Sequence, residues 1–288
     1  MTGPRPGRQP FLDALIDICG PDFARVARSI DTVAGRRVSF VAVPDSPRSV
    51  ADTVRLAARR GLTVMPRGSG SKIDWGVPPA GVDLLVDTGR LSGMWGHHVE
   101  ALTAEVATGT PVRSLQAALA LRGQRLAVDP PSASATVGGM LAVDESGPLR
   151  HRYGRPAEHV DRIGYVDAAG RIDESDGADG RPRIADVDGV ITSAVLRLQP
   201  LPAARRWIGV PVSTPLQVHN LVEETLAQSL DESAVEVDLP TPAVARTVEQ
   251  PPGSLAVLIE GAAASIDARA RRVAQVLGAG ATVSGTAP

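Results

Sequence analysis

Between residues 38 and 66 the apolar positions change period twice. Val38 to Val43 is a β-branched and aromatic run closed by Pro44, which predicts a buried strand. Over 46–61 the spacing becomes helical. Val50, Val54 and Ala57 share one face, Ser46 is placed to cap the helix, Pro47 to stand at its first position, and Gly61 to take the left-handed residue beyond its end. Leu62 to Met65 then returns to strand and stops at Pro66. Strand, helix and strand with short connections predict a βαβ unit with parallel strands and a right-handed crossover.

The same order of signals recurs downstream. Thr110-Pro111 opens a helix with Val112, Leu115 and Leu119 on one face, Gly123 ends it, and Arg125 to Val128 runs into Asp129-Pro130-Pro131. Val82 to Val86 and Val99 to Val106 predict strands joined by a Gly-rich connection. Arg162 to Val166 with the turn Ala168-Ala169-Gly170 predicts a hairpin, and Val190 to Leu198 a strand ended by Pro200 and Pro202. Near the start, Phe11, Leu12, Leu15, Ile16, Phe23, Val26 and Ile30 fall at three- and four-residue steps and predict one or two short amphipathic helices.

Pro200-Leu201-Pro202-Ala203 reads as a domain boundary. Beyond it the pattern is strand (Trp207 to Val212), helix (Pro215 to Ser229), strand (Ala234 to Leu239), strand (Leu255 to Glu260), helix (Ile266 to Leu277) and strand (Ala281 to Ser284). That order predicts a split βαβ, ferredoxin-like domain of α+β type. It shows no convergent polar groups and reads as scaffold or interface. The chain thus divides into an N-terminal tail and helices (1–36), two α/β lobes (37–202) and the ferredoxin-like domain (203–288).

Composition narrows the function. The 288 residues carry 30 basic and 32 acidic side chains, a net charge of -2, which lacks the positive footprint of nucleic-acid binding. The single cysteine, Cys19, cannot form an internal disulfide or a CxxC metal or redox motif. Apolar stretches are broken well before the roughly 18 residues that a membrane span needs. Met1 to Gly7 has no apolar core and reads as a flexible tail rather than a signal peptide, so the expected compartment is the cytoplasm. Neither G-x-S-x-G nor H-E-x-x-H occurs. His97-His98 are adjacent rather than four apart and read as an exposed turn; His151, beside Arg150, Arg152 and Tyr153, reads as a surface residue.

Two segments carry candidate chemistry. Pro66-Arg67-Gly68-Ser69-Gly70-Ser71-Lys72 directly follows a predicted parallel strand, and ligands of open α/β sheets bind outside such strand ends. Gly68 and Gly70 let backbone N–H groups approach an anion, while Ser69, Ser71 and Lys72, the chain's only lysine, add donors and charge. An ordinary tight turn has the same composition, and the loop is neither a Walker A nor a complete dinucleotide fingerprint. The second segment runs from Asp129-Pro130-Pro131 through Thr136-Val137-Gly138-Gly139 and Ser146-Gly147-Pro148 to Tyr153-Gly154, with small residues where a flat or anionic ligand could lie against backbone.

Together with Trp75-Gly76 and Gly109-Thr110-Pro111, these motifs resemble, in the same order, those of the vanillyl-alcohol-oxidase family with its PCMH-type FAD-binding domain, and within it the FAD-binding subunits of bacterial glycolate oxidases. The resemblance covers roughly residues 40–202 and more loosely the ferredoxin-like remainder, which looks like a shortened cap. It implies an α+β fold, with two FAD-binding α/β lobes and a cap, and FAD as cofactor. The pyrophosphate would lie on Pro66, Arg67, Gly68, Ser69, Gly70, Ser71 and Lys72. Further cofactor contacts would come from Thr136, Val137, Gly138, Gly139, Ser146, Gly147, Tyr153, Gly154 and Ile191. No histidine stands in the first loop, where covalent relatives attach flavin, so FAD would be held non-covalently.

By the same resemblance the chain would serve a 2-hydroxy-acid, glycolate-type oxidoreductase. Its partners would be a larger flavin-binding catalytic subunit and an iron–sulfur subunit, and through them it would sit at the inner face of a membrane. The chain departs from the family where the flavin-ring wall is expected. There it has only Asp173, Glu174, Asp176, Asp179, Asp186 and Asp188 among glycines, an acidic loop that reads as solvated surface. A structural subunit that keeps the fold but has lost FAD is therefore the alternative.

Overall fold

The computed structural model describes residues 8–176, 182–239 and 253–285; the expected tail and Asp179 of the acidic loop lie outside these residues. Two compact units are present. One comprises Met1–Leu126, Pro130–Glu145 and Pro156–Gln199; the other comprises Ala127–Asp129, Ser146–Arg155 and Pro200–Pro288.

The first unit contains two main sheets. In the first, the strands run in the order Ala24–Val26, Phe40–Ala42, Leu84–Asp87, Val64–Arg67; the last three are mutually parallel and the first is antiparallel. The predicted βαβ unit is present, with Leu84–Asp87 inserted between its two strands. Its helix is Pro47–Ala58. Ser46 accepts from the Ser49 N–H while the Ser49 hydroxyl receives the Ser46 N–H, a reciprocal cap, and Gly61 has φ +63°. Val50, Val54 and Ala57 bury against Phe40, Leu84 and Val86.

The N-terminal reading needs correction. Arg8–Cys19 is a helix, but Gly20, at φ +94°, ends it, and Ala24–Val26 pairs with Phe40–Ala42 as a strand. The exposed Phe23 ring lies 3.5 Å beneath the Arg90 guanidinium. Phe23 and Val26 mimic helical spacing, and the available sheet edge overrides it.

The second sheet is antiparallel, in the order Ile172–Ser175, Val160–Asp167, Gly189–Arg197, Thr103–Ala107, Met94–His98. The expected hairpin forms. The expected Gly-rich connection, however, contains a strand, so His97 and His98 are not in a turn. They sit in the edge strand Met94–His98, where a register shift at Gly96 absorbs the irregular sequence, and His97 Nε2 lies 2.7 Å from Gln124 Oε1. The strand expected at Arg125 to Val128 is only Gln124–Arg125.

In the second unit, four antiparallel strands run in the order Glu232–Asp238, Gly253–Gly261, Ala204–Val212, Thr282–Ser284. With helices Pro215–Leu226 and Ala263–Leu277 this is the ferredoxin-like arrangement the sequence predicts. Ile208, Val210, Leu255 and Val257 pack against Ile266, Ala270 and Val273. Contrary to expectation, the unit holds a buried polar group. Tyr153 donates its hydroxyl to Glu260 Oε2 at 3.0 Å and lies 3.4 Å from Ser233 Oγ, both partners being buried, while Arg269 donates to the carbonyls of Leu230 and Glu260. Tyr153 and Glu260 are 107 residues apart, beyond the reach of local pattern.

Candidate cofactor site

The parallel strand Val64–Arg67 delivers the glycine loop at its carboxyl end, one pair after Pro66 meets Val86. Arg67, the last strand residue, is held at its guanidinium by carboxylates. Its Nη2 bonds Asp87 Oδ2 at 2.7 Å and its Nη1 lies 3.5 Å from Asp31, which is also clamped by Arg25 at 2.6 Å. The hydrogen bond from Arg25 is the main reason that the Asp31 carboxyl is held down to about 2. Arg67 therefore ties two strands together while lining the site.

Beyond Arg67 the loop is open to an anion. The backbone N–H groups of Gly68, Ser69, Gly70, Ser71 and Lys72 find no acceptor among the described residues, whereas Ile73 already donates to Gly70 and Trp75 to Lys72. Consecutive free N–H groups form a concavity that favours negative charge. Gly70 has φ +78°, and a Cβ on Gly68 would meet Thr136 Oγ1 at 2.2 Å, so neither position accepts an ordinary side chain.

Lys72 is engaged by a carboxylate as well. Its side chain is only 6% exposed and forms an ion pair with Glu145, itself 5% exposed, while its Nζ also donates to Ser71 Oγ at 3.0 Å and lies 5.8 Å from the Trp75 ring centroid. Glu145 accepts from the Ser132 N–H at 3.1 Å. Burial alone would raise the Glu145 pKa, but the Lys72 and Ser132 hydrogen bonds outweigh it and hold the carboxyl below the ordinary value.

Thr136, Val137, Gly138 and Gly139 reach the loop as shape rather than as donors. Val137 donates to Thr110 O at 2.9 Å, Gly138 to Thr108 O at 2.7 Å, and Gly139 to the capping Thr136 hydroxyl at 3.2 Å. The amides of Val137, Gly138 and Gly139 are thus occupied, while Gly138 and Gly139 line the cavity described below. Gly138 is required by close packing, since a Cβ there would fall 2.7 Å from Thr108 Cβ.

These parts enclose a cavity of about 230 Å³ lined by Pro66, Arg67, Gly68, Gly138, Gly139 and Ile191, together with Thr88, Thr108, Ala142, Ile184, Ala185, Val187 and Gly189. A second hollow of about 290 Å³ shares Pro66, Arg67, Gly68, Gly139 and Ala142 and continues along the loop to Trp75 and Val77. Thr108 Oγ1 donates to Ile191 O at 2.7 Å and fixes that wall.

The sequence missed Thr88, Thr108, Ala142 and 184–189. Thr108 adjoins the Gly109 motif, which was a usable signal; 184–189 were hidden in an acidic stretch. That stretch is solvated only in part. Asp173 and Glu174 are exposed and Asp186 pairs with Arg183, but Ile184 is buried and Val187 faces the cavity.

The structure thus gathers Pro66–Lys72, Thr136–Gly139 and Ile191 within the first unit. Ser146, Gly147, Tyr153 and Gly154 belong to the second. There a Cβ on Gly147 would fall 2.1 Å from Asp129 O, the Leu149 N–H bonds both Asp129 carboxylate oxygens at 3.0–3.2 Å, and Gly154, at φ +82°, ends the short helix Arg150–Tyr153. Burial pushes the Asp129 carboxyl up to about 6.

Residues 38–175 match the family described as "FAD binding domain". The fold is that of a PCMH-type FAD-binding domain: p-cresol methylhydroxylase superposes with TM-score 0.77 at 13% identity over 98% of this chain and 67% of that one. The chain resembles part of an "Uncharacterized FAD-linked oxidoreductase" of Mycobacterium tuberculosis, 26% identical over 212 residues, which are 70% of this chain and 46% of that protein. It also resembles D-lactate dehydrogenase of Archaeoglobus fulgidus, 26% identical over 235 residues, 76% of this chain and 52% of that protein. The chain therefore spans about half the length of these relatives. Among solved structures, alkyldihydroxyacetonephosphate synthase superposes with TM-score 0.82 at 19% identity, covering 100% of this chain and 62% of that one; this likeness shows the fold.

FAD is the cofactor of such a domain, and the residues present fit it. Its diphosphate matches the run of free N–H groups from Gly68 to Lys72, and the partly apolar cavity walled by Val187 and Ile191 suits its aromatic parts.

Proposed function

We propose that this chain is the FAD-holding part of an oxidoreductase acting on a small 2-hydroxy acid of the glycolate or lactate kind. The observation that carries the reading is the five-residue run of unpartnered N–H groups beside a glycine-lined cavity. The D-lactate dehydrogenase relative supports the substrate class. FAD, when bound, would accept the two electrons released from the hydroxyl-bearing carbon.

The first unit's own residues hold and orient. Gly68 to Lys72 donate backbone hydrogen bonds, Thr136 sets the approach of Gly139, and Thr108 fixes Ile191. The ionisable side chains lining the two hollows, Arg67 and Lys72, are both ion-paired, so neither serves as a base. The reading accordingly assigns proton abstraction to a larger flavin-binding subunit and onward electron transfer to an iron–sulfur subunit. No described helix is long and apolar enough to cross a membrane, and the proposed location is the cytoplasm, reaching a membrane's inner face through these partners.

One observation favours a second reading, a structural subunit without redox turnover: neither cation at the loop is free to meet a phosphate. The experiment is anaerobic. The chain purified with its genomic neighbours should be yellow, and glycolate or D-lactate should bleach its flavin absorbance. A colourless chain that takes up no added FAD favours the structural reading. A yellow chain bleached by neither acid refutes the substrate class.

A further inference from the structure

Resting on the FAD reading, we infer that Glu145 is a positioning residue of the cofactor site: through Lys72 it sets the Gly68–Lys72 loop, and the diphosphate is held by backbone N–H groups without a lysine ammonium. Three observations converge. The Lys72 and Glu145 side chains are almost wholly buried and face each other as an ion pair. Glu145 simultaneously takes the Ser132 N–H at 3.1 Å and its own N–H returns to Met140 O at 3.0 Å, so one residue links the loop, the Ser132 turn and the end of the Val137–Val143 helix. Lys72 is also the hinge of the loop's exit, because its carbonyl receives the Trp75 N–H at 3.0 Å and its Nζ ties Ser71 Oγ.

A buried carboxylate lies within contact of this ammonium, so moving Lys72 to a phosphate would strand Glu145 without a counter-charge, which is strongly unfavourable for a buried ion. The loop's free N–H groups need no such exchange. Lys72 and Glu145 then behave as one unit, neutral as a pair, whose work is geometric. Arg67 is neutralised in the same manner by Asp87.

The two roles of Lys72 predict opposite signs for one substitution. Glu145→Gln frees an ammonium beside the loop. If Lys72 is a phosphate ligand, FAD binds more tightly; if the pair positions the loop, FAD binds about tenfold more weakly, or 1.4 kcal/mol. Flavin-fluorescence titration of the FAD-stripped full chain, beside a thermal melt of each stripped variant, reads both affinity and folding. The expected result is loosening by Glu145→Gln and by Lys72→Met, with the double variant no weaker than the worse single, while its melt recovers because no lone charge remains buried.

Tighter binding by Glu145→Gln, or unchanged affinity in both single variants, overturns the inference. Should Glu145→Gln not fold, the parent's salt dependence decides. A Kd that changes less than about twofold between 0.05 and 0.5 M NaCl supports N–H binding, and steep weakening assigns a free cation to the phosphate. A parent chain that takes up no FAD instead removes the FAD reading, and the positioning role falls with it.

Discussion

Gly68 and Thr136 approach so closely that a Cβ on the glycine would lie 2.2 Å from the threonine Oγ1. The same hydroxyl accepts the Gly139 N–H at 3.2 Å and caps the Val137–Val143 helix. A single side chain thus joins the two motifs and leaves room for only a hydrogen at residue 68.

Gly68→Ala should therefore push the loop off Thr136 and loosen FAD at least about tenfold, 1.4 kcal/mol. Adding Thr136→Ala removes the colliding atoms and should restore part of the affinity, while the lost cap lowers apo stability by about 1 kcal/mol. FAD titration and apo melts of the two variants check this. Parent-like affinity in Gly68→Ala would mean that the contact has no part in the site.

Gly70 has φ +78°, a conformation costing an ordinary L-residue about 1–2 kcal/mol. Asparagine tolerates it better than β-branched residues do. Gly70→Val should weaken FAD more than Gly70→Asn. Equal effects would show that bulk, not backbone conformation, matters at this position.

Asp129 gives the second unit a pH dependence. Its folded pKa of about 6 lies above the ordinary 3.8, so the native state holds the proton more tightly than the unfolded state. The sign follows: this contribution is full below pH 4 and is lost as pH rises through 6. The full shift corresponds to about 3 kcal/mol, an upper bound because the residue is only partly buried. Asp129→Asn keeps an acceptor for the Leu149 N–H and removes the titration. Melts between pH 4 and 7 should then fall less steeply in Asp129→Asn than in the parent; identical slopes would contradict the shift.

Tyr153→Phe deletes the hydroxyl donated to the buried Glu260 and should cost about 1–3 kcal/mol of stability. FAD affinity should stay unchanged, since that hydroxyl is already engaged. A larger loss of affinity than of stability would return Tyr153 to the cofactor site.

Much of the architecture is encoded locally and was legible. Ser46, Pro47 and Gly61 mark a helix by caps that need no distant partner, and the order of periods past Pro200 predicts the ferredoxin-like sheet. The glycine loop was equally visible, because a residue at φ +78° and a strand end leave local signatures. Less legible were the strands Ala24–Val26 and Met94–His98. Their sequences have no clean two-residue period, and they became strands only because Phe40–Ala42 and Thr103–Ala107 offered them an edge.

The sequence by itself determined where the glycine loop stands, which residues bend it, and the order of elements that carries it. Only the tertiary structure decided what its charges do. Arg67 and Lys72 read as phosphate ligands because a cation beside glycines is indistinguishable, along the chain, from a cation awaiting a partner. Folding brought Asp87 to one and Glu145 to the other. It also turned Ile184 and Val187 out of an acidic stretch and into the cavity wall. Backbone conformation and capping act over a few residues and leave a local pattern, whereas ion pairing and burial act through space between segments far apart in the chain, where no periodicity records them.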